Sequence, residues 1–384
     1  MRKLNSVIWV SAVLFCSLSS LGQSKPRARD LGVPFDGAPG PLNAITDVKG
    51  VEVGYTTLIS GEGLLKVGVG PVRTGVTAIL PRGKESKDAV FAGWFSLNGN
   101  GEMTGAHWVE DSGFLDGPVM ITNTHSVGVV HDAVIAWKVK RGETDMEGYW
   151  WSLPVVAETW DGYLNDINGF HVTAAEAIHA LDSATGGPVA EGNVGGGTGM
   201  ICNEFKGGVG TSSRVLSAKQ GGYSVGVLVQ CNYGEREQLR IAGVPVGREI
   251  PGPKIWDADT GSIIVVVATD APLIPTQLKR LARRVSLGVG RDGSYSGDGS
   301  GDFFLAFSTA NPEAISVKGL RHITMLPNEK LDPLFLATVQ ATEEAVVNVM
   351  VAAESMTGIN GHSVPALPHD KLREVLKKYN RLNP

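Results

Sequence analysis

The amino-acid sequence predicts a layered α+β fold in which β-sheets are held between helices. Glycine is abundant, 50 of 384 residues, roughly twice the usual share of about 7%. These glycines carry no Gly-X-Y period and fall between short apolar runs, the pattern of many strands joined by tight turns. Strand-like and helix-like stretches come in mixed blocks, with neither steady βαβ alternation nor a repeat of about 20–50 residues.

The elements follow in order. Met1-Arg2-Lys3, the mostly apolar stretch from Val7 to Leu18 and the small residues Ser19-Ser20-Leu21-Gly22 form an export-signal pattern. Cleavage is expected around residues 22–25, leaving 1–23 as a signal peptide. The apolar part is too short for a membrane anchor. Cys16 lies inside it, but Val13-Leu14-Phe15 lacks the small residues of a lipoprotein site. No later run is read as long and apolar enough to span a membrane. Residues 24–45, rich in Pro, Gly and Arg, are expected as an extended arm.

Val90 to Phe95 and Val119 to Thr122 are apolar strand candidates, the second led in by Gly117-Pro118. Val225, Val227, Val229 and Cys231 alternate with Gly226, Leu228, Gln230 and Asn232, a strand period of two. Ser262 to Ala268 is β-branched and short enough for a strand buried on both faces. Thr173 with Glu176 forms a capping box before Ala177-Ile178-His179-Ala180-Leu181. Leu278, Leu281, Ala282 and Val285 recur at helical spacing, with Gly288 expected to end that helix. The basic cluster Lys279 to Arg284 alternates with apolar residues and reads as a solvated helix face. Asp332 is expected as the N-cap, with Pro333 in the first turn, of a helix carrying Phe335, Val339, Thr342, Val346, Val349 and Ala353 on one stripe.

Composition excludes some functions. A net charge of −5 leaves no electrostatic footprint for nucleic acid. Gly288-Val289-Gly290-Arg291-Asp292-Gly293 matches the dinucleotide fingerprint by letters, but follows a helix where the fingerprint must follow a strand. The eight histidines show no metal-ligand pair, and no metal or other cofactor is expected. Once the signal is removed, Cys202 and Cys231 remain. The residues alone leave open whether they join in an oxidising compartment or stay two buried thiols.

Chemistry is expected at Gly297-Asp298-Gly299-Ser300-Gly301-Asp302, directly before Phe303-Phe304-Leu305-Ala306-Phe307. The segment 286–302 reads as an exposed linker. A cut at Gly299–Ser300 would give Ser300 a free α-amine beside its own hydroxyl. Such an amine has a pKa of about 7.7–8.0, so nucleophile and base would share one residue. No Gly-x-Ser-x-Gly elbow surrounds this serine, since Asp298 and Asp302 hold the outer positions.

The run Ser300-Gly301-Asp302-Phe303-Phe304-Leu305-Ala306-Phe307-Ser308-Thr309-Ala310-Asn311 resembles the start of the small subunit in the self-processing aminopeptidases. That P1-type family comprises the L-aminopeptidase/D-amidase/D-esterase enzymes and the β-peptidyl aminopeptidases. Asn98 to Gly105, Thr122 to Gly128, Val156 to Gly162, Gly197 to Met200, Phe205 to Gly208, Asn232-Tyr233-Gly234, Ala268 to Leu273 and Ala341 to Ala345 agree with it.

The resemblance implies a four-layer αββα sandwich of the N-terminal-nucleophile hydrolase type. It also implies self-cleavage into a large subunit, 24–299, and a small one, 300–384, sharing one domain. The implied activity removes N-terminal residues from short peptides and amides, with β-amino acids preferred. The alternatives are an L-aminopeptidase with D-amino-acid esterase or amidase activity, and an uncut binding protein of the same fold. The implied assembly is a homo-oligomer, a tetramer of processed heterodimers, exported to the periplasm or beyond and unanchored.

Roles follow residue by residue from the same resemblance. Ser300 is the nucleophile and Asn232 the oxyanion donor. Glu158 binds the substrate ammonium, and Trp160, where some relatives carry tyrosine, lines the pocket. Thr342 and Glu344 match a hydroxyl-x-Glu pair that orients the nucleophile's amine in relatives. One physical difficulty attaches to that pair: residues i and i+2 of a helix do not face the same way.

Overall fold

The computed structural model describes residues 25–143, 148, 151–316 and 319–383. The expected signal, residues 1–23, lies outside them. Strands β1 (Glu52–Ser60), β2 (Val72–Leu80) and β3 (Val90–Gly99) come first. Helix α1 (Ala106–Ser112), β4 (Phe114–Leu115), β5 (Val119–Asn123), α2 (Val127–Lys140), β6 (Val155–Thr159) and α3 (Ala174–Asp182) follow. A hairpin of β7 (Ile201–Cys202) and β8 (Phe205–Lys206) leads into β9 (Gly208–Val215) and β10 (Ser224–Asn232). Next come α4 (Val246–Glu249), β11 (Thr260–Thr269), α5 (Pro275–Arg291), β12 (Gly299–Ser308), α6 (Asp332–Ala352) and α7 (His369–Lys378).

One sheet has the order β1-β2-β5-β6, the other β4-β3-β12-β11-β10-β9. Successive side chains of a strand point to opposite faces, so parity decides which layer each residue joins. Ile79, Ile121, Ala157, Leu228, Ile264, Val266, Phe303 and Leu305 fill the space between the sheets. Val76, Ala78, Met120 and Val156 face the other way, against α2 and α3. Ile263, Val265, Val267, Phe304 and Ala306 face α5 and α6. The order is helix, sheet, sheet, helix: the expected αββα sandwich.

Five local expectations need correction. Gly288 does not end α5, which runs on to Arg291; it is buried against α6, where an added Cβ would lie 2.5 Å from the Thr342 Cβ. The absent side chain lets the two helices approach closely. Segment 286–302 is not an exposed linker, for Asp292, Ser300 and Asp302 are all buried. The N-terminal stretch is no loose arm either; it turns at 28–32, buries Ala28 and Val33, and sends Arg29 to Glu344. Asp332 is the first helical residue of α6, with Leu331 at the cap. By length and hydropathy α6 could cross a membrane, yet most of it is buried against β9, β10 and α5. Cys202 and Cys231 are joined as a disulfide, which resolves the alternative left open above.

Candidate active site

A cleft of about 450 Å³ opens at one end of the space between the sheets. Its walls include Glu158, Trp160, Asn232, Ser262, Trp256 and Asn100. Three of these are residues the sequence singled out. Ser262, Trp256 and Asn100 are not.

Asn232 ends β10 on the inter-sheet face. Its Oδ1 accepts the Ile201 N–H at 2.8 Å, and its Nδ2 donates to the Trp160 carbonyl at 2.9 Å. A carboxamide nitrogen carries two hydrogens, so a second donor is left for the cleft. Glu158 comes from the facing sheet and is almost fully buried. Thr124 Oγ1 donates to one oxygen and the Glu102 N–H to the other, the latter at 3.1 Å. Burial raises its pKa above the ordinary carboxylate value, with these hydrogen bonds acting against that rise. Trp160 and Trp256 meet edge to face, centroids 6.1 Å apart, forming an apolar wall.

Ser262 sits near the start of β11, directly opposite Asn232 in the antiparallel register. Even-numbered residues of β11 face between the sheets, as Ile264 and Val266 do, so the Ser262 side chain joins the cleft. Its Oγ donates to the Gly261 carbonyl at 2.6 Å. Gly261 has φ +123°, and a Cβ there would overlap the Asn232 carbonyl oxygen. Only glycine tolerates both conditions, so the bend that presses the serine hydroxyl against the preceding peptide depends on it.

Ser300 lies elsewhere. It shares parity with Phe304 and Ala306, which face the helices, and the cleft reaches only its neighbour Gly299. The Gly299 carbonyl accepts from Asn100 Nδ2 at 2.8 Å. Ser300 Oγ is buried and donates to Asp302 Oδ1 at 2.7 Å. Asp302 Oδ2 also takes the Ser296 hydroxyl, and Asp302 is paired with Ile263 of β11 in the parallel register. Burial raises its pKa, while these hydrogen bonds pull it down. Ile263 is the residue after Ser262, so the Ser300–Asp302 pair abuts the backbone of Ser262 on the neighbouring parallel strand.

The structure does not bring Thr342 and Glu344 to this site, correcting the expectation that they hold the nucleophile's amine. Thr342 Oγ1 donates one turn back to the Thr338 carbonyl at 2.8 Å. Glu344 is fully buried between Arg29 and Arg214, at 2.7 and 2.8 Å. Burial would raise its pKa, but the Arg29 hydrogen bonds and the Arg214 charge hold it below the usual range. Arg214 aligns through Val225 and Thr269 with Ser308, at the opposite end of β12 from Ser300. Eight residues of strand span about 26 Å. Glu344 anchors the N-terminal segment instead. The hydroxyl-x-acid spacing does occur at the site, as Ser300-x-Asp302 on a strand, where period two puts both side chains on one face.

Among the described residues, no cluster of three or more His, Cys, Asp or Glu could hold a metal. The set as a whole can perform acyl transfer: a hydroxyl, an amide donor opposite it, a carboxylate across the cleft, and a hydroxyl–carboxylate pair behind.

Comparison with known proteins agrees with this chemistry. Residues 43–364 match the model of Peptidase family S58. The chain is 58% identical over 373 residues to the β-peptidyl aminopeptidase BapA of Sphingosinicella microcystinivorans, covering 93% of each. It is 51% identical over 386 residues to BapA of Sphingosinicella xenopeptidilytica, covering 96% of this chain and 95% of that one. Among solved structures, the L-aminopeptidase D-Ala-esterase/amidase of Ochrobactrum anthropi superposes with a TM-score of 0.87 at 52% identity, over 93% of this chain and all of that one. That protein is described as a prototype of the serine aminopeptidases and a variant of the Ntn hydrolase fold. A Burkholderia β-aminopeptidase gives 0.85 at 47% identity, over 92% and 99% of the two chains.

Proposed function

The chain belongs to peptidase family S58 and is an aminopeptidase; from that premise we propose that it cuts itself between Gly261 and Ser262 and works through the new N-terminal serine. The observation that carries this reading is Ser262 itself: a cleft-facing hydroxyl held 2.6 Å from the carbonyl oxygen of a glycine at positive φ. In maturation, Ser262 Oγ attacks the Gly261 carbonyl carbon. The Gly261–Ser262 C–N bond breaks and an ester forms. Water then hydrolyses the ester, freeing a Gly261 carboxylate and the Ser262 α-amine. The subunits become residues 24–261 and 262–384, in place of the expected division at 299/300. Ser300 then has the orienting role expected of Thr342. Its hydroxyl steers the Asp302 carboxylate, whose register partner Ile263 is the residue next to the new amine.

In turnover, Glu158 holds the substrate ammonium and Ser262 Oγ attacks the first amide carbonyl. The second N–H of Asn232 donates to the developing oxyanion. The Ser262 α-amine takes the hydroxyl proton and returns it to the leaving amine as the C–N bond breaks; water then hydrolyses the acyl-serine ester, releasing the N-terminal residue as a free acid and restoring the Ser262 hydroxyl. Glu158→Gln keeps the shape but removes the counter-charge. A charge-assisted hydrogen bond is worth about 1.5–3 kcal/mol, so KM is expected to rise roughly 10- to 100-fold with kcat nearly unchanged. The raised pKa of Glu158 puts the acid limb of kcat/KM above the ordinary glutamate range, because the protonated carboxyl cannot pair with the ammonium. In Glu158→Gln this contribution is expected to drop out, leaving a shallower acid limb set by deprotonation of the Ser262 α-amine alone, as a pH profile would record.

The substrates are short peptides and amides with a free amino terminus, and β-amino acids are preferred. The names of the relatives and the broad Trp160–Trp256 wall support that preference. Comparing kcat/KM for β-alanyl with L- and D-alanyl p-nitroanilides tests it. The β-substrate is expected to lead, and no turnover of it would favour the L-aminopeptidase/D-esterase alternative. The N-terminal pattern and the Cys202–Cys231 disulfide both suit export to an oxidising compartment. Exposed Leu64, Val67 and Val69 offer an apolar face suited to the homo-oligomer.

A further inference from the structure

Lys206, on the β7–β8 hairpin, has no part in the mechanism above, yet its side chain is wholly buried. No carboxylate lies within ion-pairing distance of it among the described residues. Its Nζ donates to the Met200 carbonyl at 2.7 Å and to the Gly207 carbonyl at 2.9 Å. Burying an ammonium against backbone oxygens alone is costly, and its pKa falls to about 7 through desolvation. The hairpin tolerates this group where a shorter or apolar residue would fill the core more cheaply.

The Met200–Ile201 peptide explains the arrangement. Its C=O accepts from Lys206 Nζ as well as from the Gly207 N–H at 2.8 Å, and its N–H, on the other edge of the same planar unit, donates to Asn232 Oδ1 at 2.8 Å. A donor at the carbonyl does two things: it fixes the plane of the peptide, and it polarises the N–H into a stronger donor. A carboxamide can turn over and exchange oxygen for nitrogen. With Oδ1 held by the Ile201 N–H, the Asn232 nitrogen is left facing Trp160 and the cleft.

We propose that Lys206 is a positioning residue for the oxyanion donor, acting through the Met200–Ile201 peptide to keep the Asn232 N–H aimed at the reacting carbonyl. The proposal rests on the oxyanion reading of Asn232.

A double-mutant cycle tests it, with β-alanyl p-nitroanilide turnover measured per matured active site. Lys206→Met is expected to lower kcat at least about tenfold with KM within about twofold, the mark of a group serving the transition state. In an Asn232→Ala background, the same change is expected to alter kcat by less than about twofold, since the relay then ends on nothing. Equal losses in both backgrounds, or full kcat in the single variant, overturn the proposal while leaving the oxyanion reading intact. If Asn232→Ala itself keeps full kcat, the oxyanion reading falls and takes this inference with it. Lys206→Gln repeats the cycle with a neutral donor. Should neither Lys206 variant unfold cooperatively, Lys206 is a residue of the core and the proposal is wrong.

Discussion

Ser262→Ala is expected to remain a single uncut chain and to lose at least about 10⁴-fold in kcat, the scale seen when a catalytic nucleophile is removed. The loss is large because one atom serves twice: the same Oγ opens the Gly261 peptide and later attacks the substrate. Ser300→Ala separates this account from the one the sequence suggests. Losing the Ser300 hydroxyl frees Asp302 Oδ1 from its 2.7 Å partner but leaves the nucleophile in place. Slower maturation and a kcat reduced by roughly 10²-fold are expected, the lower end of what general acid–base assistance contributes. Denaturing electrophoresis and active-site titration follow both variants. If Ser300→Ala stays whole while Ser262→Ala splits, the nucleophile is Ser300.

Asn232→Ala is expected to lower kcat by about 10²–10³ with little change in KM, as for other single oxyanion donors. The fold should bear the change: the Ile201 N–H and the Trp160 carbonyl each lose one partner, at a cost of about 1–3 kcal/mol apiece. Maturation should slow as well, because the Gly261 carbonyl passes through the same tetrahedral geometry beside β10. Loss of KM without loss of kcat would instead make Asn232 a ground-state contact.

Much of the architecture was legible because period-two and period-3.6 patterns report burial directly. The alternation ending in Asn232 and the apolar run after Ser262 both became central strands. Glu158, Trp160 and Asn232 were legible as site residues and do share the cleft. The nucleophile we propose was harder to read, since Gly-Ser at a strand mouth occurs twice, at 261–262 and 299–300. The glycine-rich stretch before Ser300 looked like a cleavable linker, whereas the fold uses it as a tight turn in which the Ser300 N–H donates to the Gly297 carbonyl. What separates the two serines is the face of the sheet. Ser262 shares parity with Ile264 and looks between the sheets; Ser300 shares parity with Phe304 and looks at the helices. The parity was readable in each strand, but which face held the cleft depends on how the second sheet docks. The orienting pair we propose was hidden for a related reason: Thr342-x-Glu344 and Ser300-x-Asp302 each set a hydroxyl two residues before an acid, with Asp in place of Glu in the second, and only the strand lets i and i+2 act together.

The most direct measurement is the intact mass and N-terminal sequence of the smaller fragment in active protein. A fragment beginning Ser262-Ile263-Ile264-Val265 is the predicted result. One beginning Ser300-Gly301-Asp302, or an active chain with the Gly261–Ser262 bond whole, would contradict it.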